Sequence, residues 1–167
     1  MTTIELALHE IEEARKYTLR ILGEIDRKDW FRSPVSEEKS HVAWQVGHLA
    51  MGQYRLALER IRGARPEDEA LISQSFLKLF GKGSIPTEDP SDYPPLDEIV
   101  AVFERVHEQV KKGRAEISAD GLHAPPAVPH PLLTAKWQVL FYCARHEMLH
   151  AGQLGLLRRQ LGYPFTY

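Results

Sequence analysis

The chain has almost no cysteine. Cys143 stands alone, which excludes an internal disulfide and fits a reducing compartment. Charge of one sign is also lacking: 21 Lys and Arg face 23 Asp and Glu, a net charge of −2 with His neutral. Without a basic stripe to offset phosphates there is no footprint for nucleic acid. No run of about eighteen apolar residues occurs, which predicts no membrane span. The opening Met-Thr-Thr-Ile-Glu-Leu has no cationic start followed by an apolar run. No secretion signal is therefore expected, and the expected location is cytoplasmic. Sustained period-two alternation and internal repeats are missing too, so neither a sheet nor a solenoid is expected.

What is present is helical periodicity. The 167 residues are 43% hydrophobic and 26% charged, enough for one domain over 1–167 with a substantial core. Four long segments read as helices. The first runs from about Thr3 to Ile25, after a Thr2-to-Glu5 capping box, with Ile4, Leu8, Ile11, Leu19 and Leu22 as its stripe. The second runs from about His41 to Arg62, with Ser40 as N-cap and Gly63 as stop. The third runs from about Leu96 to Ile117 behind Pro94-Pro95, with Leu96, Ile99, Val100, Phe103, Val106 and Val110 as its stripe. The fourth runs from about Thr134 to Leu161 and stops at Gly162. The connections are long, and 66–80 predicts a short extra helix. The expected fold is all-α: a four-helix bundle with long, partly helical connections.

The fourth helix carries Arg145-His146-Glu147-Met148-Leu149-His150. Residues four apart share one helix face, so His146 and His150 can hold one metal ion. The letters also spell the H-E-x-x-H of zinc proteases. Those enzymes take a third ligand downstream, and the seventeen residues after His150 contain no His, Asp, Glu or Cys. A third ligand must come from upstream, and the protease reading is disfavoured. With His146 at 0° on a wheel of about 100° per residue, His150 falls at about 40°, Val139 and Leu157 at about 20°, Gln153 at about 340°, Tyr142 at about 320° and Leu149 at about 300°. The pair is expected to point into the bundle, with Glu147 at about 100° beside that face as a solvated residue or the partner of an Arg.

His48 is the leading third ligand. It lies mid-way along 40–54, which holds no formally charged residue, on a helix able to face the fourth. Gly47, Gly52, Gly152 and Gly155 are small positions that would let the backbones approach. His107 is the serious rival, though a core or bundle-edge histidine is its simpler role. His41 is too far along the helix from His48, His9 falls on a polar face, and His123 and His130 sit in a Pro-rich loop. Cys143, one turn before His146, is simplest as a small buried side chain.

Ala43-Trp44-Gln45-Val46-Gly47-His48-Leu49-Ala50 and His146-x-x-x-His150-x-Gly152-Gln153-Leu154 resemble the two signatures of the DinB/YfiT-like family. Phe80-Gly81-Lys82-Gly83-Ser84, Tyr93-Pro94-Pro95 and the terminal Leu161-Gly162 resemble it as well, so the likeness covers essentially the whole chain. The resemblance implies a four-helix bundle with a metal held by His48, His146 and His150. It also implies an S-transferase or isomerase using bacillithiol, mycothiol or a related low-molecular-weight thiol, and a homodimer. Glu147 is outside the family pattern.

The leading functional expectation is a metal-dependent transferase that uses such a thiol on a small electrophile. A divalent ion, zinc or nickel foremost, would favour the thiolate, since a free thiol has a pKa of about 8.5. The alternatives are a metal-dependent hydrolase, with Glu147 or a water network moving the proton, and a non-enzymatic metal-binding stress protein. Gln45 and Gln153 are candidates for groups that support the ligands. Arg15, on the core face of the first helix, would suit a carboxylate on a thiol cofactor, or serve as a snorkelling structural residue. No membrane or nucleic-acid partner is expected.

Overall fold

Thr2 opens the first helix as its letters promise: its hydroxyl accepts from the Glu5 N–H and the Glu5 carboxylate accepts from the Thr2 N–H. In the computed structural model, which describes residues 1–34, 40–113 and 117–166, this helix is α1, Thr3–Leu22. It stops three residues short of the expected Ile25, where Gly23 caps it by donating to the Leu19 carbonyl. Ala7, Ile11, Ala14, Thr18 and Ile21 form its inner face, and this phase leaves Leu19 exposed.

The second helix is α2, Val42–Tyr54, extended by a π turn, Arg55–Glu59, and by α3, Arg60–Arg62. Its N-cap is His41 rather than Ser40, because the His41 Nδ1 accepts from the Trp44 N–H at 3.2 Å. Gly63 ends it at φ 83°, a left-handed conformation that suits glycine. The 66–80 connection holds two short helices, α4 (Asp68–Leu71) and α5 (Gln74–Leu79), where one was expected.

The third long helix is α6, Leu96–Lys112, with Ile99, Phe103, Val106 and Val110 buried and Leu96 and Val100 half-buried. The stretch expected to carry it on to Ile117 includes 114–116, which lie outside the described residues. The last is α7, Lys136–Gln160, stopping just before Gly162 at φ 91°. Its start falls at Lys136, where Gln138 reaches back and its Oε1 accepts the N–H groups of Thr134 and Ala135. No strand occurs among the described residues, and no described helix is long and apolar enough to cross a membrane.

α1 packs along α7 and α2 along α6, while α2 also meets α7. The core runs from Ile4 to Leu154 through all four long helices. One expectation needs correcting. The buried face of α7 is made by Val139, Leu140, Cys143, Ala144, Glu147, His150, Ala151, Leu154, Leu157 and Arg158. On the wheel that arc centres near about 100°, on Glu147 rather than on the histidines. The reason is α1, whose contact with α7 is the more extensive and whose Arg15 pairs with Glu147. Tyr142 and Leu149, placed inward by the sequence, are exposed.

Candidate metal centre

Two helices build the centre. α2 supplies His48, and α7 supplies His146 and His150 one turn apart. Each offers one ring nitrogen, and the three atoms lie within 4.8 Å of one another. The ring centroids are 5.3 Å apart for His48–His146 and 4.6 Å for each of the other two pairs.

Neighbouring groups fix which nitrogen is free. The His48 Nδ1 donates to the Phe80 carbonyl at 2.8 Å. A carbonyl only accepts, so the proton sits on Nδ1 and the Nε2 lone pair is left for a ligand. Gly47 makes this possible: a Cβ there would lie 2.4 Å from the Phe80 ring, so only glycine lets Phe80 come so close to α2. The His150 Nδ1 donates to the Gln45 Oε1 at 2.7 Å, and its Nε2 is freed in the same way. Gln45 in turn donates through Nε2 to the Ser40 Oγ at 2.8 Å and to the Gln153 Oε1 at 3.1 Å.

His146 is half-buried and has no hydrogen-bond partner among the described residues. Its position is set by shape. The ring lies against Gly52, where a Cβ would come within 2.7 Å of its Cε1. Of the four glycines proposed as close-approach points, Gly47 and Gly52 fill that role, whereas Gly152 and Gly155 have open space where a Cβ would be. Trp44 stacks on His48 at 4.7 Å and 17°, and its Nε1 donates to the Ser84 Oγ at 3.1 Å.

The three imidazoles are held neutral. Burial pushes His150 down to about 3, helped by the two neighbouring rings. Burial, with His48 adding to it, takes His146 down to about 4, and burial lowers His48 too. Neutral imidazoles that each bring a ring nitrogen within 4.8 Å of the others are the donor set that zinc and related divalent ions take, so these residues fit such an ion.

Glu147 turns away from the centre. It is 2% exposed and ion-paired with Arg15, itself 3% exposed, at 2.6 Å. The Arg15 guanidinium also donates to the Phe103 carbonyl and the Gln53 Oε1, both at 2.9 Å, and lies 3.5 Å over the Phe103 ring. Gln53 continues to the His107 Nδ1 at 3.1 Å, and the His107 Nε2 reaches the Glu12 carboxylate at 2.9 Å. Of the two roles expected for Glu147, pairing with an Arg forms and solvation does not, and the partner is Arg15 of α1, which is buried rather than snorkelling. His107 is the satisfied bundle histidine of its simpler reading.

The remaining candidates are occupied elsewhere. His41 is buried between the Trp30 carbonyl and the Tyr93 hydroxyl. His130 packs edge-on against Tyr142 at 5.5 Å, while His9 and His123 are exposed. Cys143 is buried, and burial drives its thiol far above the ordinary range. The sequence marks Ser40 only as an N-cap, and Trp44 and Phe80 only as members of the family motifs; it assigns none of the three a role at the centre. Phe80 acts through its backbone carbonyl, and side-chain periodicity carries no signal for that.

The family model described as the DinB superfamily matches residues 10–154. The chain belongs to the DinB superfamily. That match includes His48, His146 and His150 together with Gln45 and Gln153. A search of curated proteins returns no match.

Proposed function

We propose that this DinB-superfamily protein is a metal-dependent transferase that joins a low-molecular-weight thiol to a small electrophile. His48, His146 and His150 would hold the ion, zinc or nickel being the first candidates. Three protein ligands leave a coordination position open. An ion bound there would favour the thiolate over the thiol at neutral pH. The observation that carries the reading is the convergence of three neutral histidines, two of them with Nδ1 tied to Phe80 and Gln45.

The chain's own residues do the rest. Gln45 and the Phe80 carbonyl hold two rings in the tautomer that presents Nε2. A cleft of about 510 Å³, lined by Trp44, His48, Lys82, Pro86, His150, Gln153 and Leu156 among others, gives a small molecule access. Hydrolysis with Glu147 as base is the weaker reading, because that carboxylate is buried against Arg15. A homodimer accords with the family resemblance, and a reducing compartment accords with the single Cys143.

The deciding experiment adds bacillithiol, mycothiol and glutathione in turn to cobalt-loaded protein. A near-ultraviolet charge-transfer band with one of them, together with consumption of that thiol by a chlorodinitrobenzene, supports the transferase. No band with any thiol, alongside thiol-independent ester cleavage, supports the hydrolase. Neither response supports a non-enzymatic metal-binding protein.

A further inference from the structure

The cleft that opens on His48 and His150 is lined by side chains whose hydrogen-bonding direction is already set. With the proton on the His150 Nδ1, Gln45 must turn its oxygen to that ring and its NH2 outward. That NH2 occupies the Ser40 Oγ and the Gln153 Oε1. Gln153 is then left with its own NH2, and Ser40 with its O–H. The Ser84 Oγ accepts from the Trp44 Nε1, so Ser84 likewise keeps its O–H. Fixing one imidazole tautomer thus leaves the polar wall with donors to offer.

Charge runs the same way. Among the described residues, Lys82 is the one formally charged side chain lining the cleft; it is exposed and has no ion-pair partner among them. No carboxylate of the described residues lines the cleft, and Glu147, the acidic residue next to His146, is turned into the bundle and neutralised by Arg15. A divalent ion on three neutral imidazoles would add two further positive charges that no described residue of the cleft offsets. Trp44, Pro86, Leu156 and Leu157 supply the apolar part of the wall.

We propose that this cleft binds a small carboxylate-bearing ligand, its carboxylate at Lys82 and its other end at the histidine triad. The inference rests on reading the triad as a metal site and deepens it by naming the chemical class of the ligand: acceptor-rich and anionic, with a short carbon segment against Trp44 and Leu156.

The test compares 3-mercaptopropionate with its neutral amide, which differ only in the charged end. Each is titrated into zinc-loaded protein by calorimetry, and into cobalt-loaded protein by absorbance. The acid should bind about fivefold more tightly than the amide, as suits one exposed charge pair. The preference should vanish in Lys82→Gln, invert in Lys82→Glu and shrink with added salt, while the amide's affinity stays unchanged in Lys82→Gln. Lys82 is exposed, so these variants leave the fold intact. Equal affinities, a preference that survives Lys82→Gln, or no heat from either probe would overturn the proposal. The two levels separate cleanly. Lys82-dependent heat without a charge-transfer band keeps the carboxylate site and removes the thiol reading. An equal band from both probes, unchanged in Lys82→Gln, does the reverse.

Discussion

The Glu147 carboxylate meets the Arg15 guanidinium at 2.6 Å inside the bundle, at the sequence position directly after His146. One residue of α7 therefore faces a candidate ion and the next faces a buried cation on α1. The pair separates two roles that the H-E-x-x-H letters invite one to merge. It also makes the first prediction quantitative. Glu147→Gln strands the Arg15 charge, and losing one partner of a buried pair costs about 3–5 kcal/mol. Urea unfolding should show that loss, and Arg15→Leu combined with Glu147→Leu should recover much of it. The charge-transfer response of folded, cobalt-loaded Glu147→Gln to a productive thiol should persist. Its disappearance, with the fold intact, would return Glu147 to the chemistry.

Gly52→Ala isolates shape from stability. Alanine is favoured over glycine in a helix by about 1 kcal/mol. Its Cβ, however, would meet the His146 Cε1 at 2.7 Å, and the ring can move aside. The metal-free protein should stay as stable as the parent, within about 1 kcal/mol by urea unfolding. Zinc affinity, measured against a competing chelator, should fall at least tenfold. Unchanged affinity would mean that His146 is not held by Gly52.

Gln45→Ala tests the tautomer argument. Removing the acceptor of the His150 Nδ1 should cost about 10–100-fold in metal affinity. His48→Ala and His150→Ala should each cost more, by the same competition assay, and a histidine whose removal leaves affinity intact is not a ligand.

Acid should destabilise the metal-free protein early. Burial lowers His41, His48, His146 and His150 in the folded state, the last two to about 4 and about 3. The unfolded chain, with histidines near about 6.5, takes up protons first as pH falls. Stability should be level above about pH 6.5 and decline below it, by up to about 1.4 kcal/mol per pH unit for each histidine. Urea midpoints from pH 8 to pH 4 report this, and His41→Gln should make the decline shallower by one proton. A profile flat to pH 4 would contradict the burial of these rings.

Cys143 should resist alkylation. Its thiol is buried and pushed far from ionisation, so iodoacetamide at pH 8 should modify it only after denaturation. Rapid labelling of the folded protein would show that the interior around Glu147 opens readily.

The histidine triad was legible because uncharged helix faces and i, i+4 spacing survive in one dimension. The four long helices were legible for the same reason, and their glycine stops at Gly63 and Gly162 lie where the letters put them. The orientation of α7 was less so. A wheel centred on His146 and His150 looked inward because Val139 and Leu157 flank it, and only the α1 contact shows that the true centre is Glu147. The chain from Glu12 through His107, Gln53 and Arg15 to Glu147 joins four helices, and no spacing rule encodes such a path. The Phe80 carbonyl is backbone, so its service to His48 left no mark on the pattern.

The π turn at Arg55–Glu59 sets a phase. Upstream, α2 must aim His48 and Gly52 at α7. Downstream, Arg60 grips the 127–129 stretch, accepting the Ala127 N–H at 2.7 Å and donating to the carbonyls of Val128 and Pro129. Each residue turns a helix by about 100°, so a chain shortened by one within the π turn would relax to regular α geometry with its two ends out of step. It could keep its histidine or its grip on that stretch, and not both. In that sense the helix is a vernier whose extra division lets two unrelated demands be met at once.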